Sequence, residues 1–501
     1  MKTLFQRKLS LVVIILQLLV SVLFCVYVGI TGIVPLRYFV IICIVAALLL
    51  AYQILSQITN SSYIFGRVLA LLFCLVFFAG ANFISESMAA LQDLGGATKK
   101  VDVLSFYVLK DCPAQTIADA KNYKFGILSI QDRENTDKAL ADAKTKAGKD
   151  LLLEEYDDSF TQVDALYAQE VQVIVVNQSF INSIEEKYKT FKTDTRELEK
   201  SEIQSDIEEI VDGDVTTKPF NVYISGIDVY GKLDQTSRSD VNVIATVNPI
   251  TKKVLLTSTP RDYYVPLYSK GGKSYSGGIP DKLTHAGIYG VDCSINTLEK
   301  LYDIDIDYYV RVNFTSVKKI VDLLGGVEVY SDYDFISDWG PNGAGTHYKF
   351  KKGYNKVNGK KALAFCRERH HFANGDYQRG RDHQHMIEAI LNKVMSPSVL
   401  PNFSKLLKES KTMFQTSMSK DKIISLCNMQ LNDMAKWKIS YANAEGSGAK
   451  KTTFSIRSTP LYVCEPNYSS VQKISKRIKK VMNETEADIK TDTDTEKEDK
   501  K

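Results

Sequence analysis

Three long apolar stretches open the chain and limit what its first 90 residues can fold into. They cover residues 9–30, 38–55 and 68–84, and each approaches the roughly 20 residues that a helix needs to cross a bilayer. A cleavable signal peptide would supply only one such stretch, with small residues at its cleavage site. The sequence therefore predicts a membrane domain over residues 1–90 with three transmembrane helices.

Basic residues flanking these stretches predict their orientation. Lys2, Arg7 and Lys8 precede the first stretch. Arg67 precedes the third, whereas Arg37 lies between the first two and argues weakly for the opposite orientation. Because Lys and Arg concentrate in cytoplasmic loops, the larger bias puts the N terminus inside. Three crossings then place everything after about residue 88 outside, which predicts a multi-pass protein of the cell membrane with a large extracytoplasmic part.

Charge and cysteine spacing exclude several classes of protein. The 501 residues include 63 basic and 59 acidic side chains, for a net charge of +4. A dedicated nucleic-acid binder usually carries a strong basic excess, so no nucleic-acid partner is expected. The eight cysteines are scattered without a CxxC spacing, which indicates neither a disulfide framework nor a zinc site.

The outer part divides into two α/β domains and a charged tail. Predicted strands at 101–109, 125–130 and 171–176 alternate with helices at 135–146 and 159–168, which indicates a small accessory α/β domain over residues 98–212. Within it, residues 184–210 are dense in Glu and Lys and favour a solvated helix or linker. Asp157, Asp158 and Asp164 fit either a site or, better, helix caps and a solvated face.

The second outer domain is predicted over residues 215–482. Strands at 220–227, 241–247, 253–258 and 327–330 are combined with an amphipathic helix at 314–324, which again indicates an α/β fold. Residues 483–501 contain Thr, Asp, Glu and Lys with almost no apolar side chain, which predicts a disordered tail.

Two clusters of interleaved acidic and arginine residues mark this second domain. The first comprises Asp228, Arg238, Asp240, Arg261 and Asp262, and the second comprises Arg367, Arg369, Asp376, Arg379, Arg381, Asp382, His383 and Gln384. Arginine's planar fork binds phosphate oxygens, and paired carboxylates can hold a hard divalent ion. Surface salt bridges are the simpler alternative for each motif alone, so the pattern leaves an anionic-ligand site and a salt-bridge network both open.

The second domain also resembles the LytR-CpsA-Psr family of cell-wall glycopolymer ligases, and the three spans with an extra outer domain before it resemble the capsule-associated streptococcal-type branch. The similar stretches include residues 225–228, 238–240, 248–249, 259–262, 281–286, 307–309, 312–314, 325–329 and 366–379. The resemblance implies an α/β/α sandwich with an apolar pocket for a polyprenyl chain. It also implies a Gram-positive-type envelope as the location.

Site residues follow from the same resemblance. It implies a Mg²⁺ site at Asp240 and Asp262, with Mn²⁺ as the alternative ion. It implies pyrophosphate contacts from Arg238, Arg261, Arg367, Arg369, Arg379, His383 and Gln384, and catalytic roles for Asp228, Arg238, Asp240, Arg261, Arg367 and Arg369. Where the family often has consecutive glutamines, this chain has His383-Gln384.

The expected function is a phosphotransferase that moves a capsular or other cell-wall glycopolymer from a polyprenyl-pyrophosphate carrier to peptidoglycan. Expected partners are that lipid-linked glycan, the peptidoglycan acceptor, the membrane and other capsule-assembly proteins. Two alternatives stay open: a membrane-bound sensor or regulator of capsule synthesis that binds a polyprenyl-phosphate ligand without turnover, and a hydrolase that releases the glycan using the same residues.

Overall fold

Three long helices begin the chain. The computed structural model describes residues 2–32, 34–59, 62–92, 96, 99–207, 213–227, 233–338, 347–373, 375–396, 398–399, 403–410 and 412–488. The helices are α1 (Lys2–Thr31), α2 (Leu36–Thr59) and α3 (Tyr63–Gln92). Each contains a segment long and apolar enough to cross a membrane, with mean hydropathies of 2.9, 2.6 and 2.4. The prediction of three apolar N-terminal helices is therefore confirmed.

A five-stranded mixed sheet forms the accessory domain. Its strands are β1 (Lys99–Leu109), β2 (Lys124–Leu128), β3 (Leu152–Tyr156), β4 (Val173–Asn177) and β5 (Thr195–Asp206), in the order β3-β2-β4-β1-β5. Its helices are α4 (Arg133–Ala147), α5 (Ser159–Tyr167), α6 (Ile181–Lys187) and α7 (Phe191–Asp194). The three strands and two helices predicted between residues 101 and 176 are present, whereas β3, an exposed edge strand, was not predicted.

The charged segment at 184–210 is the main correction to the predicted elements. A helix or linker is wrong for residues 195–206, because these form β5, which pairs antiparallel with β1 from Thr195↔Leu109 to Asp206↔Lys99. Along much of β5, half-buried and exposed positions alternate, as expected for a strand at the edge of a sheet. The many Glu and Lys residues suit an exposed helix by propensity, but pairing with β1 satisfies the backbone and decides the outcome.

The C-terminal domain is built on a six-stranded sheet in the order β18-β13-β6-β7-β8-β19. Its strands are β6 (Phe220–Ile227), β7 (Ser239–Asn248), β8 (Lys253–Thr259), β9 (Tyr264–Pro266), β10 (Tyr268–Ser269), β11 (Lys273–Ser274), β12 (Pro280–Lys282), β13 (Tyr308–Asn313), β14 (Val327–Ser331), β15 (Phe335–Ile336), β16 (Lys349–Phe350), β17 (Gly353–Val357), β18 (Gln415–Thr416), β19 (Lys438–Asn443), β20 (Gly446–Lys451) and β21 (Leu461–Pro466). Its helices are α8 (Leu283–Ala286), α9 (Val291–Tyr302), α10 (Phe314–Leu323), α11 (Gly359–Arg367), α12 (Gly375–Val394), α13 (Phe403–Ser410), α14 (Lys420–Asp433) and α15 (Tyr468–Asn483).

Helices cover both faces of this sheet. On one face, Tyr223, Ile244 and Leu255 pack in a core with buried side chains of α9 and α15. On the other, Val243 and Leu256 pack with side chains of α12 and α14. Side chains on alternate positions of each strand thus enter opposite cores, and the expected α/β/α sandwich is confirmed.

The accessory and C-terminal domains share an apolar core and several polar contacts. Phe180 packs edge-on against Tyr289, with ring centroids 6.2 Å apart. Lys100 Nζ lies 2.9 Å from Asp292 Oδ1, and the amide nitrogen of Gln131 donates to the carbonyl oxygen of Phe454 over 2.8 Å. These contacts hold the two α/β units against each other.

Asp158 is the most connected of the three accessory-domain aspartates. One carboxylate oxygen accepts from the backbone N–H groups of Phe160 and Thr161 and caps α5. The other accepts from the backbone N–H groups of Arg457 and Ser458 in the C-terminal domain, over 2.7 and 2.6 Å. The cap reading of Asp158 is confirmed, and the same side chain links the two domains.

Helix α14 contacts the turn between the first two apolar helices. The side-chain amide nitrogen of Asn428 donates to the carbonyl oxygen of Gly32 over 2.7 Å. The guanidinium of Arg37 donates to the carbonyl oxygen of Leu431. Arg37, which argued weakly against the predicted orientation, therefore has a hydrogen-bond partner in the C-terminal domain.

The predicted disordered tail at 483–501 lies for the most part outside the described residues, which end at 488. Its beginning is packed. The carbonyl oxygen of Glu484 accepts from the side-chain amide of Asn248 over 2.9 Å, and its carboxylate lies 2.9 Å from Lys253 Nζ.

We expect Asp158→Ala to lower the free energy of unfolding by about 3 kcal/mol, because four backbone N–H groups lose their acceptor. Burial opposes ionisation of Asp158, but the backbone donors lower its pKa below the usual value. Its contribution is therefore full at neutral pH and is lost as the pH falls through the folded-state pKa. Urea denaturation at pH 7 and at pH 3 measures both effects. Asp157→Ala, at the exposed neighbouring position, is the control and should change stability little.

Candidate functional site

An open cleft with about 570 Å³ of empty space lies where β7 begins and β8 ends. Because the two strands are antiparallel, with Asn242 opposite Thr259, the start of one and the end of the other meet at the same sheet edge. Asp240 lies at the start of β7, and Arg261 and Asp262 follow β8. The N-terminal part of α12 closes the other side with Arg379 and further residues. The lining includes Asp240, Asn242, Ser258, Thr259, Arg261, Asp262, Asp376, Tyr377, Arg379, His383, Tyr462 and Cys464.

The guanidinium of Arg261 lies between two carboxylates. Its Nη1 is 2.5 Å from Asp240 Oδ2, and its Nε is 3.6 Å from Asp262 Oδ2. The remaining oxygens have partners too: Asp240 Oδ1 accepts from Thr284 Oγ1 over 3.1 Å, and Asp262 Oδ1 lies 2.8 Å from Lys282 Nζ. The cleft therefore contains a compact network of two acids, one arginine and one lysine.

Electrostatics keeps both carboxylates ionised. Burial opposes the charge of Asp240, yet the positive charges of Arg261, Arg238 and Arg379 hold its pKa below the usual value. For Asp262 burial again opposes the charge, and Lys282 and Arg261 lower its pKa. Both groups are therefore negative at physiological pH and can accept a proton or bind a cation.

Arg379 brings a second positive charge into the cleft beside Arg261. Burial and repulsion from Arg261 lower the pKa of its guanidinium, and its nearest acid is Asp376, with Nη2 to Oδ1 at 3.2 Å. Asp376 is largely exposed at the rim of the cleft. An anion that enters the cleft would relieve the repulsion between the two arginines, which makes this the position where a phosphate is best accommodated.

Arg238 joins this network on the side of the accessory domain. Its guanidinium is almost fully buried and lies 2.7 Å from Glu186 Oε1, on α6 of the accessory domain. Burial lowers the pKa of this guanidinium, but the charges of Asp240 and Glu186 raise it overall. The accessory domain thus supplies an acidic residue to the edge of the cleft, and no sequence signal had marked Glu186.

His383 lines the cleft but does not suit the predicted pyrophosphate contact. Its Nε2 lies 2.9 Å from the carbonyl oxygen of Cys366, which can only accept, so this nitrogen carries the ring proton. Burial and the charge of Arg379 lower the pKa of His383 to about 3, which leaves the ring neutral. Its Nδ1 is then an acceptor, so His383 can accept from a hydroxyl and cannot donate to a phosphate oxygen.

Gln384 faces away from the cleft, and its predicted head-group contact stays a prediction. Its side-chain nitrogen donates to the carbonyl oxygens of Leu256 and Ala442, over 2.8 and 2.9 Å. The side chain is buried between α12 and the sheet. Because neighbouring residues on a helix point about 100° apart, Gln384 faces the core when His383 faces the cleft.

Two further predicted residues, Arg367 and Arg369, lie outside the cleft lining. Arg367 ends α11 and stacks on the Phe314 ring at 4.6 Å. Arg369 is exposed, close enough to Arg379 to lower that residue's pKa by repulsion. Asp228 lies outside the described residues, so its predicted role stays a prediction.

The two aspartates of the predicted metal site have the right chemistry for Mg²⁺, but in this structure an arginine lies between them. Asp240 and Asp262 are ionised oxygen donors that face the same cleft, as a hard divalent ion requires. However, Arg261 contacts both carboxylates and occupies the space between them. The two aspartates can share an ion only after this guanidinium turns away.

Comparison with known proteins adds to this geometry. The sequence profile of the LytR_cpsA_psr family matches residues 178–480. The polyisoprenyl-teichoic acid–peptidoglycan teichoic acid transferase TagU of Bacillus licheniformis is 30% identical over 266 residues, which cover 53% of this chain and 78% of that protein. TagU of Enterococcus faecalis is 32% identical over 232 residues, covering 46% and 68%. The crystal structure of B. subtilis TagV is similar with a TM-score of 0.44 and 26% identity, covering 54% of this chain and 99% of that one.

We expect Asp240→Asn to destabilise the domain by about 3 kcal/mol, because the change leaves buried guanidinium groups without their counter-charge. Inorganic pyrophosphate should restore more stability to this variant than to the wild type, since Arg261 is then free to bind it. Thermal unfolding with and without pyrophosphate measures both effects. Asp137→Asn removes a half-exposed pair with Arg133 and is the matched control, with an expected loss below about 1 kcal/mol. Equal losses in the two variants would contradict the prediction.

Proposed function

Because this chain belongs to the LytR-CpsA-Psr family, we propose that it is a membrane-anchored phosphotransferase that moves a glycopolymer from a polyprenyl-pyrophosphate carrier to peptidoglycan. The observation that carries the proposal is the cleft in which Arg261 and Arg379 lie beside two ionised carboxylates. The names of the TagU relatives, which are teichoic acid transferases that act on peptidoglycan, support the reaction class. A capsular or another cell-wall glycopolymer is the proposed cargo.

The arginines bind the pyrophosphate in this proposal. Arg379 and Arg261 line the cleft and repel each other. A pyrophosphate bound between them is attracted by both guanidinium groups and offsets their repulsion. Arg238 adds positive potential from behind Asp240, and Arg369 adds it from the exposed side of Arg379. As the pyrophosphate draws Arg261 toward itself, Asp240 loses its closest cation and becomes a stronger base.

The proposed chemical step exchanges one phosphorus–oxygen bond for another. A peptidoglycan hydroxyl attacks the phosphorus that bears the glycan, and the anhydride bond to the lipid phosphate breaks. Polyprenyl phosphate leaves with the bonding electrons, and the hydroxyl proton passes to a carboxylate oxygen of Asp240. Phosphoryl transfer depends chiefly on positioning and charge neutralisation, which the buried arginines supply.

We further propose a Mg²⁺ requirement: Asp240 and Asp262 would hold the ion once Arg261 has turned to the pyrophosphate. When bound, the ion would neutralise charge on the phosphate oxygens. Lys282 holds Asp262 in place at 2.8 Å and fixes one of the two ligands. Mn²⁺ is the alternative ion with the same preference for oxygen ligands.

The transfer assay uses the full-length protein in detergent with a prenyl-pyrophosphate glycan and peptidoglycan fragments. We expect Arg379→Ala and Arg261→Ala each to lower the rate of anhydride cleavage at least about 100-fold, because each removes a donor that stabilises developing charge. Omission of Mg²⁺ should have a similar effect. Arg477→Ala, at an exposed position on α15, is the matched control and should keep the wild-type rate.

The products separate the alternatives. Glycan attached to peptidoglycan supports the transferase, and free phosphorylated glycan would instead indicate a hydrolase. Tight lipid binding without cleavage, with acceptor present, would favour the sensor. Wild-type rates in both arginine variants would refute the assignment of the cleft as the active site.

We also propose that the two α/β domains lie outside the cell. The contact of α14 with Gly32 and Arg37 puts the α1–α2 turn on the same side as the C-terminal domain. The basic N terminus then lies on the opposite side, in agreement with the bias of Lys and Arg toward the cytoplasm.

Reporter fusions test this orientation. Alkaline phosphatase, which needs an oxidising compartment to form its disulfides, should be active when fused after Lys501 and inactive when fused after Thr59. The opposite pattern would place the cleft inside the cell and remove its access to peptidoglycan.

A further inference from the structure

Helix α12 has a second polar face, directed away from the cleft. Arg379 and His383 line the cleft, whereas Asp382 and His385 are buried among other residues, three positions apart and thus on neighbouring turns. Asp332, just after β14, lies opposite them. The potential ligand atoms of Asp332, Asp382 and His385 all lie within 4.8 Å of one another.

Two buried atoms in this cluster have no hydrogen-bond partner among the described residues. Asp382 is 0% exposed and its Oδ2 is unpartnered, and His385 is 5% exposed with Nδ1 unpartnered. Buried polar atoms are nearly always hydrogen-bonded, because losing water without replacement is costly. Two such atoms in one cluster of metal-ligand residues point to a missing partner that both can contact.

The local charge also calls for a cation. The side-chain nitrogen of Gln378 donates to Asp382 Oδ1 and to Asp332 Oδ2, over 2.9 and 3.0 Å. Arg381 is bound to Asp332 through Nε and Nη2, over 3.0 and 3.1 Å. Within the described residues Asp382 has no ion pair.

A proton on Asp382 does not satisfy both unpartnered atoms. An Oδ2–H group would need an acceptor, and among the described residues neither Asp382 Oδ2 nor His385 Nδ1 has a partner within hydrogen-bond distance. An ion about 2.0–2.2 Å from each ligand joins atoms that are too far apart for a direct hydrogen bond. One bound cation therefore resolves the charge and both missing contacts.

We propose that Asp332, Asp382 and His385 bind one divalent transition-metal ion, of which Zn²⁺ is the best match. Imidazole with carboxylates suits Zn²⁺ and, less well, Mn²⁺, whereas Mg²⁺ favours oxygen ligands alone. The site is separate from the Asp240–Asp262 pair and does not depend on the proposed transfer reaction.

The side chains around Asp332, Asp382 and His385 hold these residues in place, as neighbouring groups do around metal ligands. Gln378 and Arg381 fix the two carboxylates, in the manner of the outer hydrogen bonds that orient metal ligands. The rings of Tyr330 and Tyr441 pack against the imidazole, with centroids 5.5 and 5.2 Å away, and limit access of water. An ion at this site would fix α12 to the end of β14 and thereby fix the helix that carries Arg379.

The experiment measures metal in the full-length protein, purified in detergent without chelators or a histidine tag. We expect about one equivalent of Zn²⁺ per chain by inductively coupled plasma mass spectrometry. After removal by a chelator, Zn²⁺ should rebind and raise the unfolding temperature. Asp382→Asn and His385→Gln should each weaken Zn²⁺ binding at least about tenfold. Asp240→Asn should keep wild-type Zn²⁺ binding, which separates this site from the cleft.

Two results would overturn the proposal. One is a wild-type protein that binds no Zn²⁺ or Mn²⁺ near one equivalent. The other is equal Zn²⁺ content in the wild type and both ligand variants, which would mean an adventitious ion only. If a variant does not fold, Co²⁺ substituted into the wild type decides: visible absorption bands typical of a nitrogen–oxygen site support the proposal, and their absence refutes it.

Discussion

The buried contact between Arg261 and Asp240 is the constraint on which the site depends. Neither charge could be buried alone at acceptable cost, so the two residues must arrive together at one sheet edge. The antiparallel pairing of β7 with β8 achieves this, because it aligns the start of one strand with the end of the other. The same pairing sets the sheet on which α9, α12, α14 and α15 pack. Fold and site therefore share one requirement.

That contact also explains why the cleft can be stable and still receptive to an anion. Arg261 contacts Asp240 and Asp262, whereas Arg379 forms its ion pair with Asp376, which is exposed at the rim, and interacts with Asp240 at longer range. Positive charge is thus held in place by groups that a phosphate can replace. Glu186 extends the network into the accessory domain through Arg238, so the two domains are joined by electrostatics as well as by their shared core.

Much of the fold could be predicted from sequence, because local patterns determine it. The strands from β6 to β8 and helix α10 lie close to their predicted positions, since their apolar residues and end signals agree with the final packing. β5 could not be predicted in this way. Its Glu and Lys residues carry no apolar alternation strong enough to indicate a strand, and only pairing with β1, nearly 100 residues earlier, makes it one.

The same distinction applies to the site. Asp240, Arg261, Asp262 and Arg379 could be found because they occur in short motifs at strand and helix ends, and the structure brings them into one cleft. Gln384 was assigned because the resembled family often has consecutive glutamines at these positions, but its side chain packs between α12 and the sheet, since successive helical residues point in different directions. Glu186 and the Asp332–Asp382–His385 cluster depend on contacts between distant segments, which no single sequence displays.

The hold of α14 on the α1–α2 turn has a kinetic consequence. With the three apolar helices in a bilayer, the bonds to Gly32 and Arg37 keep the C-terminal domain from swinging freely on a tether. The protein and any lipid-borne ligand then diffuse in the same plane and at a fixed relative height. Their meeting becomes a two-dimensional search, governed by the number of molecules per unit of membrane area rather than by a concentration in solution.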